Sequence, residues 1–305
     1  MSKVTLQIQT VLYKNEPYSL KRSLDAIENA IRVNREGAQE LGEVCVFWGD
    51  ASPSPIFDDA QITELGARYR DSFTLIYRFF NENTGTSKGH NMMGLSAQSD
   101  LLLVMNPDVI LCPRFFSPMI QTLLDESKNA GVAEARQTPL EHPKTYDRET
   151  LETPWATGAC FMVRTEDYRA IGGFDADTFF LYCDDVDFSW RMRLYGKKLY
   201  YRPDCVVFHS KFLSAKGDWK PTEAEEFSTR EAAILMAYKY SDDARVEAIC
   251  AQFRHSPIEY ERRAVVAFEE RRASGRLPER IDPAHLVADF SHPCFTQYSD
   301  NKYEA

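Results

Sequence analysis

Strand-like and helix-like segments alternate along the first third of the chain. Four short segments, either apolar throughout or alternating between apolar and polar residues, have the length of strands, and they are separated by segments in which apolar residues recur every three or four positions. The four strand-like segments are Val4–Leu12, residues 44–48, residues 73–79 and Leu101–Met105. Leu20, Leu24, Ile27 and Ile31 form the first helical series. Strands that alternate with helices predict a mainly parallel, doubly wound sheet with helices on its faces.

The pattern changes after about residue 110. Further strands and helices are predicted, but they no longer alternate regularly. The predicted strands are at 131–135, 159–163 and 205–209, and the predicted helices include 89–97, 184–195 and 260–272. From about Pro221 the apolar spacing is helical. The sequence therefore predicts an α/β domain over residues 1–220 and a helical C-terminal appendage over residues 221–305.

Charge and cysteine content narrow the classes of partner. The formal net charge is −10, so we expect no nucleic acid and no anionic lipid as a bulk electrostatic partner. Seven single cysteines without a Cys-x-x-Cys pair indicate reduced thiols in a cytosolic protein. The first residues lack a signal-peptide core, and no stretch reaches the roughly 20 apolar residues of a membrane span. Any membrane contact is therefore expected to be peripheral.

Polar residues follow several predicted strands, at the place where doubly wound sheets bind ligands. Asp50 follows the second strand and Asn106-Pro107-Asp108 follows the fourth. Asn-Pro is also a turn signal, after which an Asp often bonds its own backbone. Mg²⁺ or Mn²⁺ takes one or two carboxylates plus phosphate oxygens. Asp108 is therefore a candidate for holding a cation against a diphosphate, with the turn as the alternative.

A glycine- and asparagine-rich segment at 81–91 follows the third strand. Its glycines permit close backbone approach, and Lys88 offers a cation near a helix start, where phosphates bind. The segment matches neither a Walker A sequence nor G-x-G-x-x-G. A phosphate-contacting loop and a plain flexible loop with a helix cap are both open.

Three acids in four positions, Asp184, Asp185 and Asp187, open a predicted helix. Acids in a first helical turn are stabilised by about 0.3 to 1 kcal/mol each through the helix dipole. One cap needs only one Asp, however, and crowded carboxylates have raised pKa values that suit a general base. The cluster is predicted to deprotonate an attacking hydroxyl, and helix capping is the alternative.

Two further positions have a functional and a structural interpretation. His209 ends an apolar strand, where a lone His is more often structural, but an imidazole suits Mn²⁺ and would complete a site with Asp108. Trp155 precedes the small residues Thr157 and Gly158. An aromatic face beside a small-residue turn suits a sugar ring, whereas a plain core position is the other interpretation of the tryptophan.

As a set these blocks resemble family 2 inverting glycosyltransferases of the GT-A fold, especially bacterial rhamnosyltransferase-like members. The resemblance runs from about Val4 to His209 and implies a GT-A, Rossmann-like, mainly parallel central sheet. It implies a nucleotide-binding half at 1–110 and an acceptor and catalytic half at 111–220. The blocks that carry it are residues 10–15, Gly49-Asp50-Ala51-Ser52, Asn81-x-Asn83-x-Gly85 with Asn91, Asn106-Pro107-Asp108-Val109, Thr157-Gly158-Ala159, Gly172-Gly173-Phe174-Asp175 and Phe180-x-Tyr182-x-Asp184-Asp185-Val186-Asp187-x-x-x-Arg191.

On the donor side, the resemblance assigns Asp50 to the pyrimidine base. Asp108 corresponds to the last residue of a metal-binding Asp-x-Asp motif in which Asn106 replaces the first Asp, and His209 corresponds to a histidine near the diphosphate. The resemblance implies Mg²⁺ or Mn²⁺ as cofactor, with Asp108 and His209 as its ligands. The predicted donor-binding set is Tyr13, Asp50, Asn83, Gly85, Lys88, Asn91, Asn106 and Asp108.

On the acceptor side, the resemblance implies that Asp185 occupies the place of the catalytic base in the Glu-Asp pair of the family. Asp184 replaces the Glu of that pair, so the base is either Asp184 or Asp185. The residues predicted to face the sugar or the acceptor are Trp155, Thr157, Gly158 and Asp187.

The resemblance implies transfer of a sugar from a nucleotide diphosphate to a hydroxyl of a cell-surface glycan or its lipid-linked precursor. The first expectation is L-rhamnose from dTDP-L-rhamnose, with UDP-galactofuranose, UDP-hexoses and GDP-sugars as alternative donors. A catalytically silent sugar-nucleotide-binding protein is a second alternative. A nucleotidyltransferase is disfavoured because the glycine-rich loop with Arg and Lys near the first strand is missing. The appendage is expected to form a homodimer face, an acceptor platform or a contact to a partner enzyme.

Overall fold

The computed structural model describes residues 3–141, 144–210 and 222–291. Its strands are β1 (Val4–Leu12), β2 (Leu41–Asp50), β3 (Thr74–Phe79), β4 (Leu101–Met105), β5 (Val109–Leu111), β6 (Ala130–Thr138), β7 (Cys160–Arg164) and β8 (Lys198–His209). Its α-helices are α1 (Pro17–Glu36), α2 (Asp59–Tyr69), α3 (Gly85–Gly94), α4 (Phe116–Leu124), α5 (Thr165–Ala170), α6 (Asp184–Leu194), α7 (Glu223–Lys239), α8 (Asp243–Arg254) and α9 (Glu259–Ala273).

The strands form a single eight-stranded sheet over the described ranges, in the order β3-β2-β1-β4-β7-β6-β8-β5. Strands β3, β2, β1 and β4 are parallel to one another, as the alternation of strands and helices in the sequence predicts. Beyond β4 the sheet is mixed, since β7 runs antiparallel to β4 and β6, β6 and β8 are parallel, and β5 is antiparallel to β8. The prediction of a mainly parallel sheet with flanking helices is confirmed. All four parallel strands end at one edge, where the polar residues of the predicted site follow them.

Both faces of the sheet are buried. In β4, Leu101, Leu103 and Met105 join one hydrophobic cluster, whereas Leu102 and Val104 join another. A strand whose successive side chains enter two cores is apolar throughout, which explains why Leu101–Met105 is an unbroken apolar run.

Several element boundaries differ from the prediction. α3 begins at Gly85 rather than at residue 89 and ends at Gly94. β6 and β8 are longer than the predicted 131–135 and 205–209 segments because they pair with each other along most of their length. The polar residues Glu134 and Gln137 of β6 are buried, so an apolar pattern could not mark the full strand. The short strand β5 and the helix α8 were not predicted, and α8 buries only Val246 and Cys250.

The C-terminal helices pack against the second half of the sheet domain. Side chains of α7, α8 and α9 share a hydrophobic cluster with Trp155, Phe179, Val186 and Trp190. The predicted boundary at residues 220 and 221 lies outside the described residues. None of the helices in the described ranges combines the length and the apolar composition that a membrane span requires.

Candidate active site

A cavity of about 300 Å³ opens at the edge of the sheet where the parallel strands end. Its volume is at the lower end of the range for small-molecule sites. Segments far apart in sequence build its walls: the end of β4, the start of α3, the loop before β7, the start of α6 and the end of β8. The lining residues are Thr86, His90, Val104, Asn106, Asp108, Gln137, Thr157, Gly158, Ala159, Phe174, Leu181, Tyr182, Asp184, Asp185, His209 and Glu225.

Asp108 and His209 face each other in this cavity. β5 pairs with β8 in a register that sets Val109 opposite His209, and this brings the preceding Asp108 beside the imidazole. His209 Nε2 lies 3.3 Å from Asp108 Oδ1. The carboxylate is one-third exposed and the histidine is buried, so the pair presents one accessible face to the cavity.

The imidazole of His209 is held from behind by Gln137. The Oε1 atom of Gln137 lies 2.7 Å from Nδ1 of His209. An amide oxygen only accepts a hydrogen bond, so Nδ1 carries the proton in this arrangement. Nε2 is then the nitrogen that faces Asp108, and neutral imidazole nitrogens of this kind are common metal ligands.

The pair fits a divalent cation that is also bound by a ligand. Two adjacent ligand atoms of an octahedral Mg²⁺ are about 3 Å apart, which is close to the separation seen here. No group of three or more His, Cys, Asp or Glu side chains suited to a metal occurs among the described residues. Asp108 and His209 would therefore hold the ion together with diphosphate oxygens and water, as is usual for Mg²⁺.

Asp184 and Asp185 also line the cavity, from the first turn of α6. The chain reaches them through two successive non-glycine residues with left-handed backbone, Tyr182 at φ 68° and Cys183 at φ 57°. Such conformations cost roughly 1–3 kcal/mol each and concentrate at functional sites. A hydrogen bond of 3.0 Å from the Tyr182 hydroxyl to Glu225 Oε1 of α7 helps to hold this turn.

The two carboxylates have different hydrogen-bond partners. Asp185 accepts backbone N–H groups on both oxygens, from Gly158 to Oδ2 and from Val186 to Oδ1, each at 2.8 Å. Asp184 Oδ2 accepts the hydroxyls of Thr86 at 2.7 Å and Ser87 at 3.1 Å, both from the start of α3. Asp184 thus ties α6 to α3, while Asp185 stands next to the Gly158 turn.

Burial changes the ionisation of this pair. It raises the pKa of Asp184 to about 7, and the neighbouring charge of Asp185 adds to the increase. Burial also raises the pKa of Asp185, but the N–H groups of Gly158 and Val186 and the charge of Lys144 oppose that increase. Two interacting carboxylates with raised pKa values are typical of a proton-transfer site.

Eight of the predicted site residues do not line the cavity, and the first four of these are Lys88, Asn91, Trp155 and Asp187. Lys88 is exposed and pairs with Glu82 at 2.7 Å. The side-chain amide of Asn91 bonds the backbone of Phe174 and the hydroxyl of Tyr168, so it fixes the Gly172-Gly173 turn. The ring of Trp155 is buried, with the Lys144 ammonium 4.1 Å from its centroid.

Asp187 is the fourth of these residues and belongs to a separate buried ion cluster. Its carboxylate lies 2.7 Å from Arg191 Nε and 2.6 Å from Lys239 Nζ, and it is fully buried. Lys239 also lies 2.6 Å from Asp175. These contacts join α6 to α7, and Asp187 does not line the cavity.

The predicted base pocket is less enclosed. Asp50 is fully buried and accepts hydrogen bonds from the backbone N–H groups of Ser52 and Ile56 and from the Tyr77 hydroxyl. Tyr13 and Asn83 are exposed in the loops after β1 and β3, at the same edge of the sheet. Gly85 has φ 62°, and a Cβ there would lie 2.3 Å from the carbonyl oxygen of Phe180. Only glycine fits this approach of α3 to the loop before α6.

Several cavity residues were missed by the sequence analysis. Gln137 lies in the part of β6 that was not predicted as strand, and Glu225 lies in the predicted appendage. Thr86 belongs to the glycine-rich segment but carries no motif of its own. The signal that could have indicated Gln137 is the presence of polar residues at 134 and 137 in or beside an apolar strand. Polar side chains buried in a sheet need specific hydrogen-bond partners, so such residues indicate a buried polar network.

A larger groove of about 1150 Å³ runs between the turn at 172–178 and helices α7 and α9. Its ionic side chains include pairs with one another, such as Lys239 with Asp175 and Arg271 with Glu231. It brings together neither the Asp108 and His209 pair nor the Asp184 and Asp185 pair. The smaller cavity is therefore the candidate active site.

The sequence matches no protein-family model. It is 25% identical over 141 residues to rhamnosyltransferase WbbL of Escherichia coli, a match that covers 37% of this chain and 53% of that protein. It is 35% identical over 78 residues to the N-acetylglucosaminyl-diphospho-decaprenol L-rhamnosyltransferase of Mycobacterium tuberculosis, covering 24% of this chain and 25% of that protein. The chain thus spans about half of one relative and a quarter of the other.

Solved structures share the fold at low sequence identity. GalNAc-T7 with UDP, GalNAc and Mn²⁺ aligns with a TM-score of 0.61 and 12% identity, covering 91% of this chain and 56% of that chain. The mannosyltransferase PcManGT of Pyrobaculum calidifontis, in complex with GDP-Man and Mn²⁺, aligns with a TM-score of 0.52 and 15% identity, covering 90% and 82%. S. aureus TarS 1-349 aligns with a TM-score of 0.51 and 14% identity, covering 88% and 72%. The chain has the GT-A fold, and its sequence is rhamnosyltransferase-like.

Proposed function

We propose that this protein is an inverting glycosyltransferase that moves L-rhamnose from dTDP-L-rhamnose to a hydroxyl of a lipid-linked glycan. One observation carries the proposal: a single cavity holds a cation-binding pair, Asp108 and His209, and a proton-accepting pair, Asp184 and Asp185. The first pair suits a diphosphate leaving group and the second suits an attacking hydroxyl. The two pairs come from different parts of the chain, since Asp108 and His209 lie beside β5 and at the end of β8, whereas Asp184 and Asp185 open α6.

Asp185 is the proposed base. Both of its oxygens accept backbone N–H groups, which fixes the carboxylate and favours its ionised form. Each oxygen keeps a further lone pair that can accept the acceptor's hydroxyl proton. As that proton moves to Asp185, the acceptor oxygen attacks the anomeric carbon from the face opposite the diphosphate. The bond from that carbon to the diphosphate oxygen breaks in the same step.

Asp184 is the proposed partner of the base. Its Oδ2 atom is bound by the hydroxyls of Thr86 and Ser87, so it is less free to face a substrate. When Asp184 is ionised, its adjacent charge makes Asp185 a stronger proton acceptor. This division of roles follows the hydrogen-bond partners and assigns the base to the second Asp of the pair.

Asp108 and His209 are the proposed ligands of Mg²⁺ or Mn²⁺ on the donor side. A divalent cation bound there would neutralise charge on the departing diphosphate. The structural neighbours solved with Mn²⁺ support a divalent cofactor. Asn106 lies in the same cavity and offers amide donors to the donor's diphosphate or sugar.

The proposed donor and acceptor follow the relatives' names. Both curated relatives are rhamnosyltransferases, and one is named for a diphospho-decaprenol acceptor. The structural neighbours include proteins solved with UDP or GDP-Man, so the fold itself accommodates other donors. A lipid-linked acceptor would place the protein at the cytoplasmic surface of a membrane during catalysis. Glu225, which α7 contributes to the cavity, supports a role of the C-terminal helices on the acceptor side.

A donor panel tests the proposal. We expect dTDP-L-rhamnose with Mn²⁺ to raise the melting temperature, because a ligand at 100 times its Kd stabilises the native state by about 2.7 kcal/mol. The shift should be lost in Asp108→Ala and kept in Asp71→Ala, which removes a carboxylate that is 95% exposed before β3, at the opposite edge of the sheet. If UDP-galactofuranose, a UDP-hexose or GDP-mannose raised the melting temperature instead, that sugar nucleotide would be the donor rather than dTDP-L-rhamnose. No shift with any sugar nucleotide would overturn the transferase proposal.

A further inference from the structure

A continuous chain of buried hydrogen bonds runs from His209 to an ion pair inside the sheet domain. His209 Nδ1 bonds Gln137 Oε1 at 2.7 Å, and Gln137 Nε2 donates to Thr157 Oγ1 at 2.7 Å. The Thr157 hydroxyl and backbone N–H both donate to Glu134 Oε1 at 2.9 Å. Glu134 Oε2 lies 2.6 Å from Lys144 Nζ. The exposed fraction is 2% for Gln137 and for Thr157 and 0% for Glu134.

The proton positions along this chain are determined from its inner end. Glu134 Oε1 accepts two hydrogen bonds, so the single hydroxyl proton of Thr157 is directed to it. The hydroxyl oxygen of Thr157 is then left as an acceptor, and only the NH₂ group of the Gln137 amide can donate to it. The carbonyl oxygen of that amide must therefore face His209, where it can only accept.

We infer that Gln137, oriented by Thr157 and Glu134, is a positioning residue that keeps the proton of His209 on Nδ1 and presents Nε2 to a divalent cation shared with Asp108. This inference rests on the proposed cation site and extends it to three residues that do not contact the ion. Metal-binding histidines commonly donate their second ring N–H to such a partner, which fixes the ring and its tautomer. Here that partner is an amide rather than a carboxylate.

Lys144 explains why the inner end of the chain is stable. A carboxylate as buried as Glu134 needs a compensating charge, and the Lys144 ammonium, 4% exposed, provides it. The same ammonium donates to the carbonyl oxygen of Trp155 at 2.5 Å, next to the turn that carries Thr157. The ion pair thus fixes both the acceptor and the backbone of the residue that orients Gln137.

The first test determines which ring nitrogen of His209 carries the proton in the metal-free protein. Nitrogen-15 spectra of His209, assigned with His209→Gln and recorded near pH 8.5, report which ring nitrogen carries a proton. We expect a protonated Nδ1 in the wild type, although a free neutral imidazole favours the Nε2 proton. A bare Nδ1 in the wild type would overturn the inference.

Variants test the chain of bonds. Gln137→Met keeps the length of the side chain but removes the acceptor, so Nδ1 should lose its proton preference. Thr157→Val removes the hydroxyl with little change in shape and should act in the same direction. Thr157→Ser keeps the hydroxyl and serves as the conservative control, with an unchanged spectrum. A Gln137→Met spectrum like that of the wild type would also overturn the inference.

Metal affinity provides the second readout. Titration with Mn²⁺ alone, followed by electron paramagnetic resonance of the free ion, should show about 10- to 100-fold weaker binding in Gln137→Met and near wild-type binding in Thr157→Ser. Equal affinity in Gln137→Met and wild type would overturn the positioning role. Wild-type protein that binds no Mn²⁺ would refute the cation site. Neither readout involves a sugar nucleotide, so failure of the donor panel is distinguishable from failure of this inference.

Discussion

The backbone N–H of Gly158 donates to Asp185 Oδ2 at 2.8 Å, and this bond joins the loop before β7 to the first turn of α6. A Cβ at position 158 would lie 3.4 Å from the Cβ of Asp185, so the turn approaches the carboxylate closely. The second oxygen accepts the N–H of Val186. The orientation of Asp185 is thus set by backbone atoms, which do not change rotamer as a neighbouring side chain would.

Asp185→Asn tests the proposed base. The amide cannot accept the acceptor's proton, so turnover should fall roughly 100- to 10,000-fold while donor binding is largely kept. Turnover and donor-induced thermal shift are measured side by side. Asp184→Asn is the matched comparison and should lower turnover less. If Asp185→Asn retained near-normal turnover and Asp184→Asn did not, the base would be Asp184.

The pH dependence of the free energy of unfolding tests whether burial raises the pKa of Asp184 in the folded protein. Its pKa is raised from 3.8 to about 7 in the folded protein, mainly by burial. Between about pH 4 and pH 7 the folded state therefore holds a proton on this group that the unfolded state has lost, and linkage makes the free energy of unfolding fall as pH rises through this window. Asp184→Asn removes that contribution, so its urea midpoint should fall less than that of the wild type between pH 5 and pH 8.

An exposed carboxylate gives the control for this measurement. Asp71→Asn changes a group with a 95% exposed side chain and should leave the pH slope of the wild type unchanged. If Asp184→Asn and wild type had the same slope, Asp184 would hold no extra proton in the folded state over this pH range, which would contradict its raised pKa.

The sequence predicted those parts of the fold and of the site that depend on local pattern. The four parallel strands were recognisable because each is a short segment of apolar or alternating residues, and Asp108 and His209 were recognisable by their positions at strand ends. The hydrogen-bonded series from His209 through Gln137 to Glu134 was not recognisable from the sequence, because burial of a polar side chain depends on which strands become neighbours. β6 meets β8 only after the chain has crossed the sheet, and no local spacing encodes that pairing.

Asp187 is a residue that the sequence pattern grouped with the candidate site but that the structure places outside the cavity. It shares the acidic cluster with Asp184 and Asp185, so pattern alone groups the three together. A helix turns by about 100° per residue, so Asp187 points about 200° around α6 from Asp185, the proposed base. Its side chain faces Lys239 of α7, a residue more than fifty positions further along the chain.

Lys239→Met tests whether α7 depends on this buried ion cluster. The ammonium is 5% exposed and lies 2.6 Å from carboxylates of both Asp175 and Asp187. Its removal leaves a buried carboxylate short of a partner, which typically costs about 3–5 kcal/mol. Lys198→Met is the control, because its pair with Glu152 is exposed to solvent and such surface pairs contribute little to stability. Urea unfolding of both variants gives the comparison, and equal small losses would contradict a structural role for the cluster.

Glu225→Ala tests the contribution of the C-terminal helices to acceptor binding. Glu225 is the α7 residue in the wall of the cavity, and it accepts the hydroxyl of Tyr182 just before the Asp184 and Asp185 pair. Through Tyr182, Glu225 contacts the turn that carries the proposed base, so a change at 225 should affect the acceptor rather than the donor. We expect the KM for the acceptor to rise about tenfold, which corresponds to about 1.4 kcal/mol, with an unchanged donor-induced thermal shift.

Two further variants separate charge, hydrogen bonding and helix stability at this position. Glu225→Gln keeps an acceptor for the Tyr182 hydroxyl and should have an intermediate KM. Glu226→Ala removes the adjacent acid, which pairs with Arg230 at 2.6 Å and does not line the cavity, so it should leave KM unchanged. If Glu225→Ala weakened donor and acceptor equally, its effect would come from distortion of the turn at Tyr182 and Cys183. The C-terminal helices would then support the catalytic pair without contacting the acceptor.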